Sequence, residues 1–477
     1  MFFHQRFIPG LAIYSYMIGD LKTKECAVVD PTRDIDDFLR IAKAEGLRIT
    51  HVLETHVHAD FVSGSAELKA RTGATVHVSG HGGADWTPPY ADRIVKDKDD
   101  IVLGNIRLQA IHTPGHTLEH VCWAVYDAPR SREVPALMLT GDFLFVGDVG
   151  RPDLLGVEMQ KILAHQLYQS VFQVLPAFPD FTEIYPGHGA GSLCGKALGA
   201  RHSTTLGYER RFSPALQHQA ESDWIRNLLA GMPIAPSYFR RMKQVNARGP
   251  KIIGPEWPGQ RRLSAQDIYQ RTCDRCLILD VRSKEAFAAA HIPGSINIPL
   301  GANLPTWAGW VLPYDTPIIL VVDQPADLAS VVTHLLRVGL EDIHGYLDGG
   351  IDAWEAAGYP LQRVQTLSVH ELAEQLRHGS APLVLDVRTD AEWQAGHIAN
   401  AVHIHGGLLQ QRLHELPKER PITVICGSGY RASIASSFLK REGFTNVSNV
   451  IGGMTAWKAA GLPISTEPSC DPTGTCR

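Results

Sequence analysis

The spacing of apolar and polar positions up to about Phe181 predicts short strands separated by helices. The runs Cys26–Asp30 and Ile49–Glu54 are rich in β-forming residues, and Ile35–Glu45 between them has helical spacing of its apolar side chains. Histidines cluster where the predicted strands end. The pattern indicates an α/β domain whose strand ends carry the polar chemistry.

A polar and basic stretch, Lys196–Arg262, follows this domain. It has helical spacing at Asp223–Ala230 and a Pro- and Gly-rich segment at Gly249–Gly259, which is typical of a linker. We therefore predict that the first domain comprises residues 1–250.

The apolar pattern after the linker occurs twice with nearly constant spacing, which indicates domain duplication. The matching segments are Leu277–Arg282, His291–Gly294 and Gly349–Trp354 in the first copy, and Leu383–Arg388, His397–Asn400 and Gly452–Trp457 in the second. Strands alternate with helices in each copy, so each should form a parallel sheet covered by helices. We predict domains at 260–363 and 366–465 and a flexible tail at 466–477.

Length and composition agree with three domains of a soluble protein. The chain has 477 residues and a formal charge of −5, which gives no reason to expect nucleic acid as a partner. The start lacks a long apolar segment, no apolar stretch is long enough to span a bilayer, and the cysteines show no regular disulfide framework. These features predict a reducing cytoplasm. The cysteines are Cys26, Cys122, Cys194, Cys273, Cys276, Cys426, Cys470 and Cys476.

Imidazoles and a carboxylate follow several predicted strands of the first domain. His56 and His58 flank one residue, His116 follows Thr-Pro-Gly, Asp142 follows Thr-Gly, and His188 follows Tyr-Pro-Gly. Each lies where a rigid strand meets a loop, the usual position of binding residues. A single histidine of this kind is more often a surface or core residue, but the combination predicts a metal site.

The loop Cys426–Arg431 lies between a β-rich run, Ile422–Ile425, and a helical pattern, Ala432–Glu442. A thiol at a strand-to-helix turn is surrounded by backbone N–H donors and the positive end of the helix, which stabilise a thiolate and an anionic sulfur attached to it. Cys426 is therefore a candidate sulfur carrier. We expect Arg431 and the loop residues Gly427, Ser428, Gly429 and Tyr430 to hold its anionic substrate.

The first domain resembles the metallo-β-lactamase fold, and within it the glyoxalase II and persulfide dioxygenase branch. The matching segments are His56–Asp60, Thr113–Thr117, Thr140–Asp142 and Pro186–Gly189. Two-metal hydrolases of this fold have a histidine where this chain has Phe61, and an apolar ring cannot ligate a metal. The resemblance to persulfide dioxygenases implies an αββα sandwich and one Fe(II) held by His56, His116 and Asp142, a set that leaves open positions for O₂ and substrate.

The same resemblance leaves several residues with two interpretations. His58, Asp60 and His188 either orient ligands or water, or are remnants of a second metal site. Arg151 binds the persulfide or forms a structural ion pair with Asp148 or Asp153.

Cys194 also has two interpretations: it meets substrate near the iron, or it is a buried structural thiol. Basic residues at Arg240–Lys243 form a solvated face, or they hold an anionic thiol carrier.

The duplicated part resembles rhodanese (sulfurtransferase) domains. The second copy matches at Leu385–Arg388, Gly396–Ile398 and Cys426–Arg431, although Gly427 stands where rhodaneses often have a basic residue. The first copy has Asp323 at the cysteine position and Pro325 after it, so it should be an inactive structural or docking module. The Asp–Val–Arg segments that both copies keep should form stabilising ion pairs.

The chain as a whole resembles fusions of a persulfide dioxygenase with an inactive and then an active rhodanese domain. This implies that a low-molecular-weight thiol persulfide and O₂ give sulfite, and that Cys426 exchanges sulfur with sulfite and thiosulfate. A zinc thioester hydrolase and a non-enzymatic sulfur-relay or sensor protein are the alternatives. The carrier thiol, whether glutathione, coenzyme A or another, and the direction of sulfur transfer stay open; family members commonly form homo-oligomers.

Overall fold

The computed structural model describes residues 1–272, 276–378 and 381–467. Cys273, Cys470, Cys476 and most of the predicted tail lie outside these residues. The chain forms two compact units: one comprises Met1–Glu256 and Leu335–Gly339, the other Trp257–His334 and Leu340–Arg477. Within the described residues, no helix has the length and apolar character that crossing a membrane requires.

Two six-stranded sheets form the frame of the first unit. In spatial order, the first sheet contains Phe2–Ile8, Ile13–Asp20, Glu25–Val29, Arg48–Leu53, Thr75–Ser79 and Arg93–Val95. The second contains Thr204–Thr205, Glu183–Pro186, Leu137–Gly141, Val121–Asp127, Ile106–His112 and Asp100–Leu103. Its helices are Asp36–Glu45, Ser65–Thr72, Val157–Gln169, Leu206–Phe212, Glu221–Leu229 and Phe239–Arg248.

The main core lies between these sheets, because buried residues of both sheets pack in one cluster that includes Tyr16, Trp123 and Leu139. Helix Asp36–Glu45 packs a second apolar cluster against the outer face of the first sheet, and helix Val157–Gln169 contributes to a third on the second sheet. Burial on both faces of each sheet supplies the hydrophobic driving force for the sandwich. The predicted αββα architecture is confirmed.

The two repeats of the second unit have the same topology. Each repeat contains one five-stranded parallel sheet. In the first repeat the spatial order of the strands is Arg262–Leu263, Ile343–Leu347, Ile318–Val321, Leu277–Asp280 and Ile296–Asn297. In the second repeat it is Gln365–Leu367, Val447–Val450, Ile422–Ile425, Leu383–Asp386 and Val402–His403. The helices are Ala265–Thr272, Lys284–Ala289, Leu304–Val311, Leu328–Arg337 and Gly350–Ala356, then Val369–Arg377, Asp390–Gln394, Leu409–Arg412, Tyr430–Arg441 and Gly453–Ala459. The predicted duplication of an α/β domain is confirmed.

The ion pairs predicted for both repeats are also present. Arg282 Nη2 lies 2.6 Å from Asp280 Oδ2, and Arg388 Nη2 lies 2.6 Å from Asp386 Oδ2. Each guanidinium also donates to a backbone carbonyl oxygen, that of Ala290 in the first repeat. The buried charges are thus both paired and hydrogen-bonded, as burial requires.

Candidate functional site

Three loops of the first unit bring His56, His116 and Asp142 together. Each residue follows the end of a strand, and one ligand atom of each lies within 4.8 Å of those of the other two. All three side chains are buried. The distance from His116 Nε2 to Asp142 Oδ2 is 3.6 Å. The structure therefore assembles the two imidazoles and the carboxylate that the sequence predicts for one metal site.

Hydrogen bonds orient both imidazoles. The Nδ1 atom of His116 lies 2.9 Å from the carbonyl oxygen of Arg151, which can only accept. The Thr55 hydroxyl donates to Asp30 Oδ2 at 2.8 Å, so it accepts the Nδ1 proton of His56 at 2.9 Å. Burial lowers the pKa of His116 to about 3 and that of His56 well below its ordinary value. Both rings are therefore neutral and offer the Nε2 lone pair.

Asp142 supplies an unsatisfied carboxylate. Neither of its oxygens accepts a hydrogen bond of ordinary geometry from a described residue, although both are buried. Burial raises the pKa of this carboxyl group to about 6, because the charged form loses its solvation. A divalent cation would compensate that charge and use both imidazole lone pairs, so these residues fit a metal.

A second group of possible ligands lies beside the first. The ligand atoms of Asp60, His188 and Cys194 are within 4.8 Å of one another. His188 Nε2 lies 3.4 Å from both Asp60 Oδ2 and Asp142 Oδ2, while its Nδ1 lies 3.1 Å from the carbonyl oxygen of Ala12. Burial raises the pKa of the Cys194 thiol well above its ordinary value. This group can face a substrate or hold a second cation.

His58 belongs to neither group. Its Nε2 lies 3.0 Å from Asp30 Oδ1 and 3.6 Å from Glu54 Oε2, and its ring packs 4.4 Å from that of Phe61. Burial alone would lower its pKa, but the two carboxylates prevail and raise it to about 9. The structure thus separates His58 from Asp60 and His188, with which the sequence grouped it.

The guanidinium group of Arg151 is bound to other groups of the protein. Its side chain is buried, and its guanidinium donates to both carboxylate oxygens of Asp153 and to the carbonyl oxygens of Leu193 and Pro233. These contacts are the structural ion pair that the sequence offered as one alternative. A role of Arg151 in binding substrate stays a prediction.

One basic residue of Arg240–Lys243 lies inside the protein, contrary to the predicted solvated face. Lys243 is 4% exposed, and its Nζ lies 3.1 Å from Glu119 Oε1 and 3.3 Å from the carbonyl oxygen of Val57. The amphipathic helix Phe239–Arg248 turns this side chain inward, where Glu119 satisfies its charge.

Several residues of the site were missed from the sequence. Thr55 and Asp30 orient His56, and His120 accepts the backbone N–H of Asp142 at its Nε2, 3.1 Å away. All three residues lie next to predicted strand ends or in the loop that carries His116. Their position in the sequence could therefore have marked them as candidate site residues. Their partners, however, become visible only when the strands are assembled.

The second unit places Cys426 at the turn that the sequence predicts. The strand Ile422–Ile425 ends directly before it, and its Sγ accepts hydrogen bonds from the backbone N–H groups of Gly429 at 3.1 Å and Ala432 at 3.4 Å. The side chain is 1% exposed. These donors are suited to stabilising a thiolate and a persulfide formed on it.

Two other residues of the cysteine loop, Arg431 and Tyr430, already bind protein groups instead of being free to bind a substrate. Arg431 forms a bidentate ion pair with Glu392 through bonds of 2.6 and 2.7 Å. Burial opposes ionisation of Glu392, but the hydrogen bonds from Arg431 prevail and lower its pKa to about 2. The Tyr430 hydroxyl donates to the carbonyl oxygen of Pro299, whereas Ser428 is exposed. Their roles toward substrate stay predictions, and Glu392 is a partner that the sequence did not reveal.

Gly453 shapes the cysteine loop from the neighbouring helix. Its φ is +54°, and a Cβ there would lie 2.3 Å from the carbonyl oxygen of Cys426 and 2.8 Å from that of Gly427. We expect Gly453→Ala to lower the free energy of unfolding by about 2 kcal/mol or more, because strain and overpacking add. Urea denaturation of the full chain measures this. Gly461→Ala is the control, since Gly461 has φ +65° and no atom within 4 Å of that Cβ; equal effects would contradict the clash.

The first repeat has no thiol at the corresponding turn. Asp323 follows the strand Ile318–Val321 and is exposed, and Pro325 begins the short helix Pro325–Asp327. A carboxylate cannot carry sulfane sulfur, and Pro325 lacks a backbone donor. This arrangement supports the prediction that the first repeat is inactive.

Comparisons with known proteins match both parts of the chain. Residues 8–190 match the metallo-beta-lactamase superfamily, and residues 264–357 and 368–460 each match the rhodanese-like domain. A protein of Burkholderia pseudomallei strain 1710b named "Probable metallo-hydrolase" is 30% identical over 295 residues, which cover 54% of this chain and 96% of that protein.

Two further relatives extend these matches. The mitochondrial persulfide dioxygenase ETHE1 of Bos taurus is 29% identical over 219 residues, 46% of this chain and 76% of that protein. The crystal structure of a metallo-beta-lactamase from Staphylococcus aureus subsp. aureus COL has 39% identity and a TM-score of 0.64. It covers 72% of this chain and 98% of the crystallised one. That likeness therefore extends well beyond the first unit.

Proposed function

Because this chain belongs to the metallo-β-lactamase superfamily and carries two rhodanese-like domains, we propose that it is a persulfide dioxygenase joined to a sulfurtransferase. The observation that carries the first activity is the unsatisfied carboxylate of Asp142 beside two neutral, oriented imidazoles. This donor set is the one that non-haem Fe(II) oxygenases use. The similarity to a persulfide dioxygenase of Bos taurus supports the choice of substrate.

His56, His116 and Asp142 would hold one Fe(II). When bound, iron supplies the O₂ chemistry that protein side chains lack. The net reaction is that one thiol persulfide, one O₂ and one water give one thiol, one sulfite and two protons. O₂ accepts the electrons that the terminal sulfur loses.

The chain's own residues fix and enclose this centre. The Arg151 carbonyl oxygen and the Thr55 hydroxyl hold the two imidazole rings in one orientation. Cys194 and His188 belong to the second group of possible ligands, which lies beside the carboxylate of Asp142. They would therefore contact the sulfur end of the substrate. Cys194 holds its proton, because burial raises its pKa, and its S–H can donate to an anionic persulfide.

Cys426 would perform the sulfur transfer. Its thiolate attacks the outer sulfur of thiosulfate, and the sulfur–sulfur bond breaks with its electron pair leaving on sulfite. Cys426 is left as a persulfide, and the reverse reaction makes thiosulfate from sulfite. The backbone N–H groups of Gly429 and Ala432, which point at Sγ, stabilise the sulfur anions. The covalent link to the dioxygenase raises the effective concentration of sulfite at this acceptor.

Oxygen consumption tests the dioxygenase proposal. Iron-loaded protein should consume O₂ when it receives glutathione persulfide or coenzyme A persulfide, and sulfite and thiosulfate together should appear in an amount equal to the O₂ consumed. Protein that contains iron but consumes no O₂ with either persulfide would refute the proposal.

A zinc thioester hydrolase is the second candidate. The group Asp60, His188 and Cys194 favours it, since these residues could hold a second cation next to Asp142. Phe61 argues against it, because its buried ring occupies the position of a ligand found in two-metal hydrolases. Metal analysis separates the candidates: one iron per chain supports the oxygenase, whereas paired zinc supports the hydrolase.

The Thr55 hydroxyl should matter for metal affinity although it cannot reach the metal itself. Thr55→Val keeps the shape but removes the acceptor for His56 Nδ1 and the donor to Asp30. We expect iron affinity to fall by about 10- to 100-fold. Competition with a chelator measures this loss. Thr55→Ser should restore most of the affinity; an unchanged affinity in Thr55→Val would show that the hydroxyl does not position His56.

The cellular setting belongs to the same proposal. Cys194 and Cys426 are free thiols, which suits a reducing cytoplasm. We propose a small thiol persulfide, O₂, sulfite and thiosulfate as partners, and self-association into a homo-oligomer.

A further inference from the structure

A lysine of the first repeat lies at the cysteine loop of the second. Lys284 begins the helix Lys284–Ala289. Its aliphatic chain passes over Gly429, because a Cβ on that glycine would lie 3.3 Å from Cε and 3.8 Å from Cδ of Lys284. Gly429 is the residue whose backbone N–H donates to Cys426 Sγ. A positively charged side chain of the first repeat therefore lies at the loop that holds Cys426.

Buried hydrogen bonds fix the first repeat on the helix that follows Cys426. Ser433 Oγ donates to Asn297 Oδ1 at 2.7 Å, and the backbone N–H of Asn297 donates to Ser437 Oγ at 3.0 Å. Tyr430 adds its bond to the carbonyl oxygen of Pro299 at 3.2 Å. Because these bonds connect the two repeats and two of the three are buried, the packing of the repeats holds Lys284 near the loop.

The cysteine loop itself offers an anionic donor only a neutralised cation. Arg431 shares its charge with Glu392 in a bidentate pair, and Gly427, the residue after Cys426, has no side chain. Lys284 contacts Glu285 at 2.7 Å, but that carboxylate is 71% exposed, so water screens the pair. The ammonium group of Lys284 can therefore turn toward a bound anion.

We propose that Lys284 supplies the second positive charge of the Cys426 site, so that a dianionic sulfur donor such as thiosulfate binds between the two repeats. The identity of the donor rests on the proposed sulfurtransferase function; the position of the charge does not. The repeat without a cysteine at its loop thus becomes part of the binding site and adds to its preference for anions.

Alkylation of Cys426 tests the charge without any assumption about the reaction. Full-length protein is treated with iodoacetate, an anion, or with iodoacetamide, which is neutral, and the peptide with Cys426 is quantified by mass spectrometry. Both reagents need the thiolate, so their ratio reports the local potential. We expect Lys284→Met to lower the iodoacetate-to-iodoacetamide rate ratio by about three- to tenfold, as one nearby charge does at intermediate dielectric. Lys284→Arg should retain it.

The exposed Lys458 provides the matched control, since Lys458→Met removes the same charge elsewhere in this unit. A ratio that falls equally in both variants, or in neither, would overturn the proposal. So would a Cys426 that reacts with neither reagent, because such a loop admits no small anion. A second readout is KM for thiosulfate, which should rise in Lys284→Met with little change in kcat. Protein that keeps the charge-dependent ratio but transfers no sulfur would refute the sulfurtransferase function and leave this site intact.

Discussion

His116→Ala is expected to remove iron and persulfide-dependent O₂ consumption together. The variant leaves one imidazole and the carboxylate of Asp142, too few donors to hold the ion in place. Loss of a ligand should cost more than loss of a residue that orients one, so we expect activity to fall by about two orders of magnitude or more. Metal analysis and an oxygen electrode measure both effects on the same sample.

The control for this prediction is His165→Ala, which removes a half-exposed histidine of the same unit. It should leave iron content and O₂ uptake unchanged. Sulfur transfer at Cys426 serves as an internal check, because His116→Ala should not affect it. If His116→Ala retained iron and activity, the assignment of this ligand would be wrong, and the second group at Asp60 would become the candidate centre.

The strands could be predicted closely because buried β-branched runs have a strong local signal. Ile422–Ile425 and the strand at Leu277 both begin where the sequence predicts them. The helix after Cys426 begins at Tyr430, two residues before the predicted start at Ala432. Gly429, directly before the helix, takes a left-handed conformation with φ +96°, a turn that the apolar spacing does not reveal.

The candidate metal ligands could also be predicted, because their motifs are short and each follows a strand. Their supporting contacts could not. The Thr55 hydroxyl is oriented by Asp30, which is 25 residues away in sequence, and Arg431 is paired with Glu392, 39 residues away. Lys284 lies 145 residues before Gly429 and belongs to the other repeat. Such contacts depend on sheet order and on repeat packing, neither of which leaves a pattern in the local sequence.

Cys426→Ser is expected to abolish sulfur transfer while O₂ consumption continues. A hydroxyl is smaller than a thiol and also accepts hydrogen bonds, so it fits beside the N–H groups of Gly429 and Ala432 and the loop should stay folded. Serine, however, is not ionised at neutral pH and cannot form a persulfide. We expect the transfer rate from thiosulfate to fall by about three orders of magnitude or more, as when a covalent nucleophile is removed.

The products separate the two activities. Wild-type protein supplied with persulfide and O₂ should convert part of its sulfite to thiosulfate, whereas Cys426→Ser should accumulate sulfite at the unchanged rate of O₂ uptake. Cys276→Ser, in the repeat without a cysteine at its loop, is the matched control and should behave as wild type. If Cys426→Ser lowered both activities equally, the two centres could not act independently, because a separate iron site has no reason to respond to a thiol that only accepts or donates sulfane sulfur.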